Sequence, residues 1–140
     1  MTKSFILDCS VTMSWCFEDE FDSYSEIVLN SLTQSKALVP PLWSLEVINV
    51  LLMAEKRGRL KNADSTRFID LLGSLAIYIS DLSFSMSEII NTARSHKLTS
   101  YDANYLLLAM HEGLGIATKD NDLINACQIN GVEIFLDIVN

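Results

Sequence analysis

The chain has 140 residues, of which 49% are hydrophobic, and its formal net charge is −8. A chain of this length and composition folds as one domain with a substantial core, which excludes an intrinsically disordered protein. The negative charge argues against broad, non-specific binding to nucleic acid, which normally needs a basic face, but it leaves nucleic acid possible as a substrate.

Short apolar segments alternate with helical segments along the chain. Strands are predicted at residues 4–7, 36–39, 76–79, 115–118 and 132–135. The helices predicted between them are residues 11–17, 24–32, 42–57, 62–72 and 85–96, a helix ending at about Glu112, and residues 120–130. This alternation predicts an α/β fold whose parallel sheet is covered by helices on both faces. The whole chain, residues 1–140, is expected to form one domain.

The helix predicted over residues 42–57 differs in pattern from the others. The pair Pro40-Pro41 marks its start, because proline is well tolerated in a first helical turn. Apolar residues then occupy nearly every face of the helix, which predicts burial all round.

The cysteines and the amino terminus bear on the cellular compartment. Cys9, Cys16 and Cys127 fit no zinc-binding spacing, so free and mostly buried thiols are expected. No apolar stretch approaches the roughly 20 residues of a membrane span, and the first residues lack the long apolar region of a signal peptide. We therefore expect a cytoplasmic protein without membrane contact.

Acidic residues stand beside four of the core-forming segments. Asp8 and Asp120 each follow a predicted strand, Asp102 opens a predicted helix, and Glu46 interrupts the apolar helix. Sites in open parallel sheets form beyond the carboxyl ends of the strands, so these acids can meet there. Clustered carboxylates repel one another unless a cation is bound, and an all-oxygen ligand set suits Mg²⁺ or Mn²⁺ and phosphodiester chemistry.

Each acid also has a structural alternative. Asp102 lies in a capping-box-like pattern with Thr99, and Asp120 and Asp122 can complement the amino end of a helix. Asp8 can cap the turn that follows it, and Glu46 can form a structural ion pair. Ser10 and Thr118 flank the cluster, where their hydroxyls can hold a carboxylate or a metal-bound water, or simply cap a turn.

Four segments together resemble the PIN-domain family, and in particular its VapC-type toxins. They are ILDCSV from Ile6, PLWSLEVINVL from Pro41, LTSYDA from Leu98 and IATKDNDL from Ile116. The resemblance covers essentially the whole chain, and the Tyr-Asp-Ala and Ala-Thr-x-Asp-x-Asp-Leu patterns are its most specific parts.

The resemblance implies a three-layer α/β/α sandwich with a central, mainly parallel sheet. It implies an Mg²⁺- or Mn²⁺-dependent endoribonuclease that acts on RNA as the toxin of a toxin–antitoxin pair. The matched acids are Asp8, Glu46, Asp102 and Asp120, with Asp122 as a fifth and Ser10 and Thr118 as supporting hydroxyls. It also implies a homodimer and a small antitoxin whose basic arm enters the acidic pocket.

Two other classes of protein share parts of this pattern. A non-catalytic module with the same fold could use the pocket to bind a basic peptide, although the intact acids argue against it. A phosphate-accepting receiver domain also has an aspartate after a buried strand. A receiver normally carries an adjacent acidic pair after its first strand, whereas Leu7-Asp8-Cys9 offers one acid only.

Overall fold

A computed structural model describes residues 3–136 of the chain. Its strands are β1 (Ser4–Leu7), β2 (Lys36–Val39), β3 (Ile77–Ile79) and β4 (Ile116–Ala117). Its helices are α1 (Cys9–Ser14), α2 (Ser23–Ser31), α3 (Leu42–Lys56), α4 (Asn62–Ser74), α5 (Met86–His96), α6 (Ser100–Glu112) and α7 (Asn121–Ile129), with a short 3₁₀ turn at Glu18–Glu20. The predicted alternation of strands and helices is confirmed.

The four strands form one parallel sheet in the order β3-β2-β1-β4. The chain moves outward from β1 to β2 and β3, and then returns to place β4 on the other side of β1. Right-handed crossovers therefore put the helices α1 to α4 on one face and α5 to α7 on the other. The packing agrees, because α1 contacts α3 while α6 contacts both α5 and α7. The α/β fold with helices on both faces of a parallel sheet is thus confirmed.

The core lies around β1, in which three consecutive residues are fully buried. Phe5, Ile6 and Leu7 have no exposed surface, and the ring of Phe5 stacks on Phe135 with centroids 3.9 Å apart. Leu7 leads directly into Asp8, so the rigid centre of the sheet determines where that carboxylate lies.

The prediction that α3 is buried all round is wrong. Trp43, Val47 and Leu51 are buried, whereas Leu45 is 71% exposed and Leu52 is 55% exposed. One face of α3 packs on the core, and its other apolar side chains face outward.

The predicted strand at 132–135 is also wrong. Ile134 forms an isolated parallel bridge with Ile116, and two further backbone hydrogen bonds tie Glu133 and Phe135 to Ile116. The segment cannot extend along β4, because β4 is only two residues long and the backbone turns at Leu136, whose φ is 52°.

No helix in residues 3–136 is long and apolar enough to cross a membrane.

Candidate active site

The candidate site lies where the strand order reverses, beyond the carboxyl ends of β1 and β4. Such a switch point opens a crevice between neighbouring strands in parallel α/β sheets. Asp8 follows β1, and its backbone N–H donates to the carbonyl of Ala117 at 3.0 Å. Thr118 and Asp120 follow β4. Strand pairing therefore brings together two segments that lie far apart in the sequence.

The Asp8 carboxylate is held by two hydroxyl groups. Asp8 is 4% exposed, and its Oδ2 accepts hydrogen bonds from Ser10 Oγ at 2.7 Å and Thr118 Oγ1 at 2.8 Å. Ser10 Oγ accepts the Lys119 N–H at 3.0 Å, and Thr118 Oγ1 accepts the Asp120 N–H at 3.1 Å. Because an ionised carboxylate can only accept, each hydroxyl directs its own proton to Asp8. The two hydroxyls therefore engage one carboxylate oxygen in a fixed direction.

Burial and hydrogen bonding act in opposite directions on the pKa of Asp8. Burial raises the pKa of its carboxyl group, and the charge of Asp120 raises it further. The hydrogen bonds from Ser10 and Thr118 lower the pKa of Asp8 because they stabilise the charged form. The hydroxyls thus make a buried anion tolerable at this position.

Asp102 lies in the first turn of α6, where Thr99 caps the helix. Thr99 Oγ1 accepts the Asp102 N–H at 3.1 Å, so the cap uses the backbone of Asp102. Burial is the largest cause that raises the pKa of Asp102, to about 7, and the charges of Asp120, Asp8 and Glu46 add to it in that order. Three acids from three other elements therefore lie close enough to Asp102 to disfavour its charge.

Glu46 is half-buried on α3 and hydrogen-bonded to α6. The Tyr105 hydroxyl donates to Glu46 Oε1 at 2.6 Å. Burial raises the pKa of Glu46, the Tyr105 hydrogen bond lowers it, and the charge of Asp8 raises it. No Lys, Arg or His in the described part of the chain forms an ion pair with Glu46, so the structural ion pair is not present.

Asp120 and Asp122 occupy different positions at the start of α7. Asp120 is the N-cap, and its Oδ1 accepts the N–H groups of Asp122 at 2.9 Å and Leu123 at 3.2 Å. Its charge also raises the pKa values of Asp8 and Asp102. Asp122 is exposed, and its charge contributes to neither of those shifts. Asp120 is therefore both a helix cap and a member of the cluster.

Two residues of the site, Tyr105 and Lys119, were not predicted from the sequence. Tyr105 lies in an apolar helical run, and its position three residues after Asp102 was the available signal, since such residues share a helix face. Lys119 Nζ donates to Ser14 Oγ at 2.9 Å and to the Glu20 carbonyl at 3.0 Å, and pairs with Asp22 at 3.1 Å. Nothing in the local sequence of Lys119 predicts these contacts.

The cysteines take no part in disulfides. Cys9, Cys16 and Cys127 are free, with Cys9 and Cys127 buried, as predicted. Burial raises the pKa of the Cys9 thiol, and the charges of Glu46 and Asp8 raise it further. Burial likewise raises the pKa of Cys127 to about 12. Both thiols are therefore protonated and unreactive.

The donor chemistry of the site fits a hard divalent cation. Its side chains offer carboxylate and hydroxyl oxygens, which are the ligands preferred by Mg²⁺ and Mn²⁺. Within residues 3–136, however, no three His, Cys, Asp or Glu side chains are arranged to hold one ion together. The site therefore fits a divalent cation in the type of its ligands and in their convergence, and the side chains must adjust to complete a coordination shell.

Comparison with known proteins identifies the family. The model of the PIN domain matches residues 5–128. The chain belongs to the PIN domain family. All seven residues expected to form or support the site lie within the matched segment. PIN domains are generally nucleases that bind RNA and usually use divalent metal ions, so a nuclease fold is established for this chain.

A solved structure shares the fold of this chain. The crystal structure of PAE2754 from Pyrobaculum aerophilum superposes with a TM-score of 0.68 at 20% sequence identity, covering 89% of this chain and 84% of that one. At this identity the likeness shows the fold alone. No curated protein matches the chain.

Proposed function

We propose that this PIN domain is an Mg²⁺- or Mn²⁺-dependent endoribonuclease that hydrolyses RNA phosphodiester bonds with Asp8, Glu46, Asp102 and Asp120. The observation that carries the proposal is the convergence of these four acids, which lie close enough that the charges of Asp120, Asp8 and Glu46 all raise the pKa of Asp102. Acids from four separate segments converge at the switch point of the sheet, where their repulsion favours a bound cation.

Each side chain has a distinct role in this proposal. Asp8 and Asp102 bind the ion most directly, and Glu46 and Asp120 complete the site or position water. Ser10 and Thr118 orient Asp8, and the exposed Asp122 serves as an outer, fifth acid. When bound, the ion lowers the pKa of a water molecule and neutralises charge on the attacked phosphate.

The proposed biological role is that of a toxin restrained by an antitoxin in the cytoplasm. The net charge of −8 and the cluster of carboxylates favour a small partner with a basic arm. Exposed apolar side chains on α3, including Leu45, Ile48 and Leu52, favour a further protein interface, and we propose a homodimer.

Activity measurements on two conservative variants test the nuclease assignment. Asp8→Asn and Asp102→Asn preserve shape but remove charge, so each variant should lose Mn²⁺-dependent RNA cleavage by roughly 100-fold or more while circular dichroism shows an intact fold. Asp70→Asn, which changes an exposed acid on α4, is the matched control and should cleave normally.

The result can also separate nuclease from binding module. Full activity in Asp8→Asn or Asp102→Asn shows that the site has been assigned wrongly. A wild-type protein that cleaves no RNA with either metal but binds a basic peptide supports the non-catalytic alternative.

A further inference from the structure

The hydroxyl of Tyr105 stands out because the position is otherwise purely apolar. Tyr105 has no exposed surface, and its ring lies among the largest fully buried side chains of the core. Phenylalanine would fill the same space without the cost of burying a polar group. The hydroxyl donates to Glu46 Oε1 at 2.6 Å, so this cost is offset by a charge-assisted hydrogen bond to a residue of the candidate site.

The bond connects two helices that meet at the site. Glu46 belongs to α3, whereas Tyr105 belongs to α6 and lies three residues after Asp102. Residues three apart share one face of a helix, so Tyr105 and Asp102 are directed to the same region. Within residues 3–136 no backbone hydrogen bond links α3 to α6, so the hydroxyl fixes Glu46 relative to Asp102.

The hydroxyl of Tyr105 is the donor in this bond. An ionised carboxylate has no proton to give and can only accept a hydrogen bond. A carboxylate accepts at either oxygen, and Tyr105 engages Oε1. The second oxygen of the same carboxylate, Oε2, is left for another partner.

We propose that Tyr105 is a positioning residue that holds Glu46 by Oε1 and thereby presents Oε2 to the divalent cation. This inference rests on the proposed function, because it assumes that Glu46 faces the ion. Partners that orient metal-binding carboxylates typically contribute about 10- to 100-fold to metal affinity or activity. Tyr105 acts through Glu46 and touches neither the ion nor the RNA.

The experiment is a titration of metal-free protein with Mn²⁺ by calorimetry, using Tyr105→Phe. The variant keeps the ring and loses the hydroxyl, and its Mn²⁺ affinity should fall about 10- to 100-fold. RNA cleavage should then need correspondingly more Mn²⁺ to reach half of its maximum. Tyr78→Phe, which alters an exposed tyrosine on β3, is the control and should bind Mn²⁺ like the wild type.

A second pair of variants separates positioning from a general structural effect. In the Glu46→Gln background, adding Tyr105→Phe should change Mn²⁺ affinity by less than 2-fold, because the hydroxyl acts through the Glu46 carboxylate. If Tyr105→Phe lowers the melting temperature but leaves the Mn²⁺ affinity unchanged, the positioning role is overturned. An equal loss of affinity in both backgrounds overturns it too.

Failure of the proposed function gives a different result. If wild-type protein binds no Mn²⁺ or Mg²⁺, then both the metal site and the role of Tyr105 toward it are wrong. If wild-type protein binds Mn²⁺ and cleaves RNA while Tyr105→Phe does the same at equal metal concentrations, only the positioning role is wrong.

Discussion

At the scale of single residues, the folded protein holds several acidic side chains close enough to repel one another. Asp8, Glu46 and Asp102 all have raised pKa values, with burial as the largest cause in each case. Hydroxyl donors compensate in part at Asp8 and Glu46. At Asp102 the hydrogen bond with the cap residue Thr99 lowers the pKa, but burial and the charges of three other acids raise it to about 7.

This shift predicts how the stability of the metal-free protein depends on pH. The reference pKa of Asp102 is 3.8, and the folded-state pKa is about 7. Between these values the folded protein keeps a proton that the unfolded chain has released. The contribution of Asp102 to stability is therefore full below pH 4 and is lost as the pH rises towards about 7.

Urea denaturation at pH 5, 6, 7 and 8 measures this dependence. The free energy of unfolding of the metal-free wild type should fall across this range. The free energy of unfolding of Asp102→Asn should fall less steeply, because Asn does not titrate. Asp70→Asn should keep the wild-type slope. Identical slopes for wild type and Asp102→Asn would show that the folded protein does not hold Asp102 in its neutral, protonated form.

At the scale of helices and strands, local signals predicted most boundaries to within a few residues. Pro40-Pro41 marks the start of α3, and Gly113, which adopts a positive φ of 67°, ends α6. The burial of α3 was predicted wrongly because an apolar sequence does not show which faces have partners within the same chain. The 132–135 segment has strand-like residues, but the two-residue β4 offers it little edge to pair with.

The contact between Gly115 and the 132–135 segment gives a prediction at this scale. A Cβ added at Gly115 would lie 2.8 Å from the backbone oxygen of Glu133. Gly115→Ala should therefore push that segment from β4 and lower the free energy of unfolding by about 1–3 kcal/mol. Gly73→Ala in α4 meets nothing within 4 Å and should be neutral or stabilise by up to about 1 kcal/mol. Equal stability of Gly115→Ala and wild type in chemical denaturation would contradict the close packing.

At the scale of the whole molecule, the order of the strands creates the site. The sequence placed Asp8 and Asp120 after strands, and general rules for parallel sheets then predicted that they meet. The sequence could not predict the contacts of Tyr105 and Lys119, because these depend on how α6 and β4 lie against elements far away in the chain. Such contacts are set by tertiary packing, and the only local signal was the spacing of three residues between Asp102 and Tyr105.

The overall charge gives a prediction about the proposed antitoxin. If its basic arm enters the acidic cluster, a side chain such as arginine takes the place of the metal ion, and bidentate pairing with carboxylates favours arginine over lysine. Excess Mn²⁺ should then displace the arm and raise RNA cleavage by the purified complex. Alanine substitution of each basic residue in the arm should restore activity for at least one of them. If no substitution restores cleavage, the partner inhibits at another surface.

The most direct test of the central claim is a calorimetric Mn²⁺ titration of metal-free wild type, Asp8→Asn and Asp102→Asn at one pH above 7, where Asp102 is charged. We expect saturable binding by the wild type and at least about 10-fold weaker binding by each variant, because each removes one carboxylate ligand. Wild-type affinity in either variant would contradict the claim that these acids, brought together at the ends of β1 and β4, form the metal site.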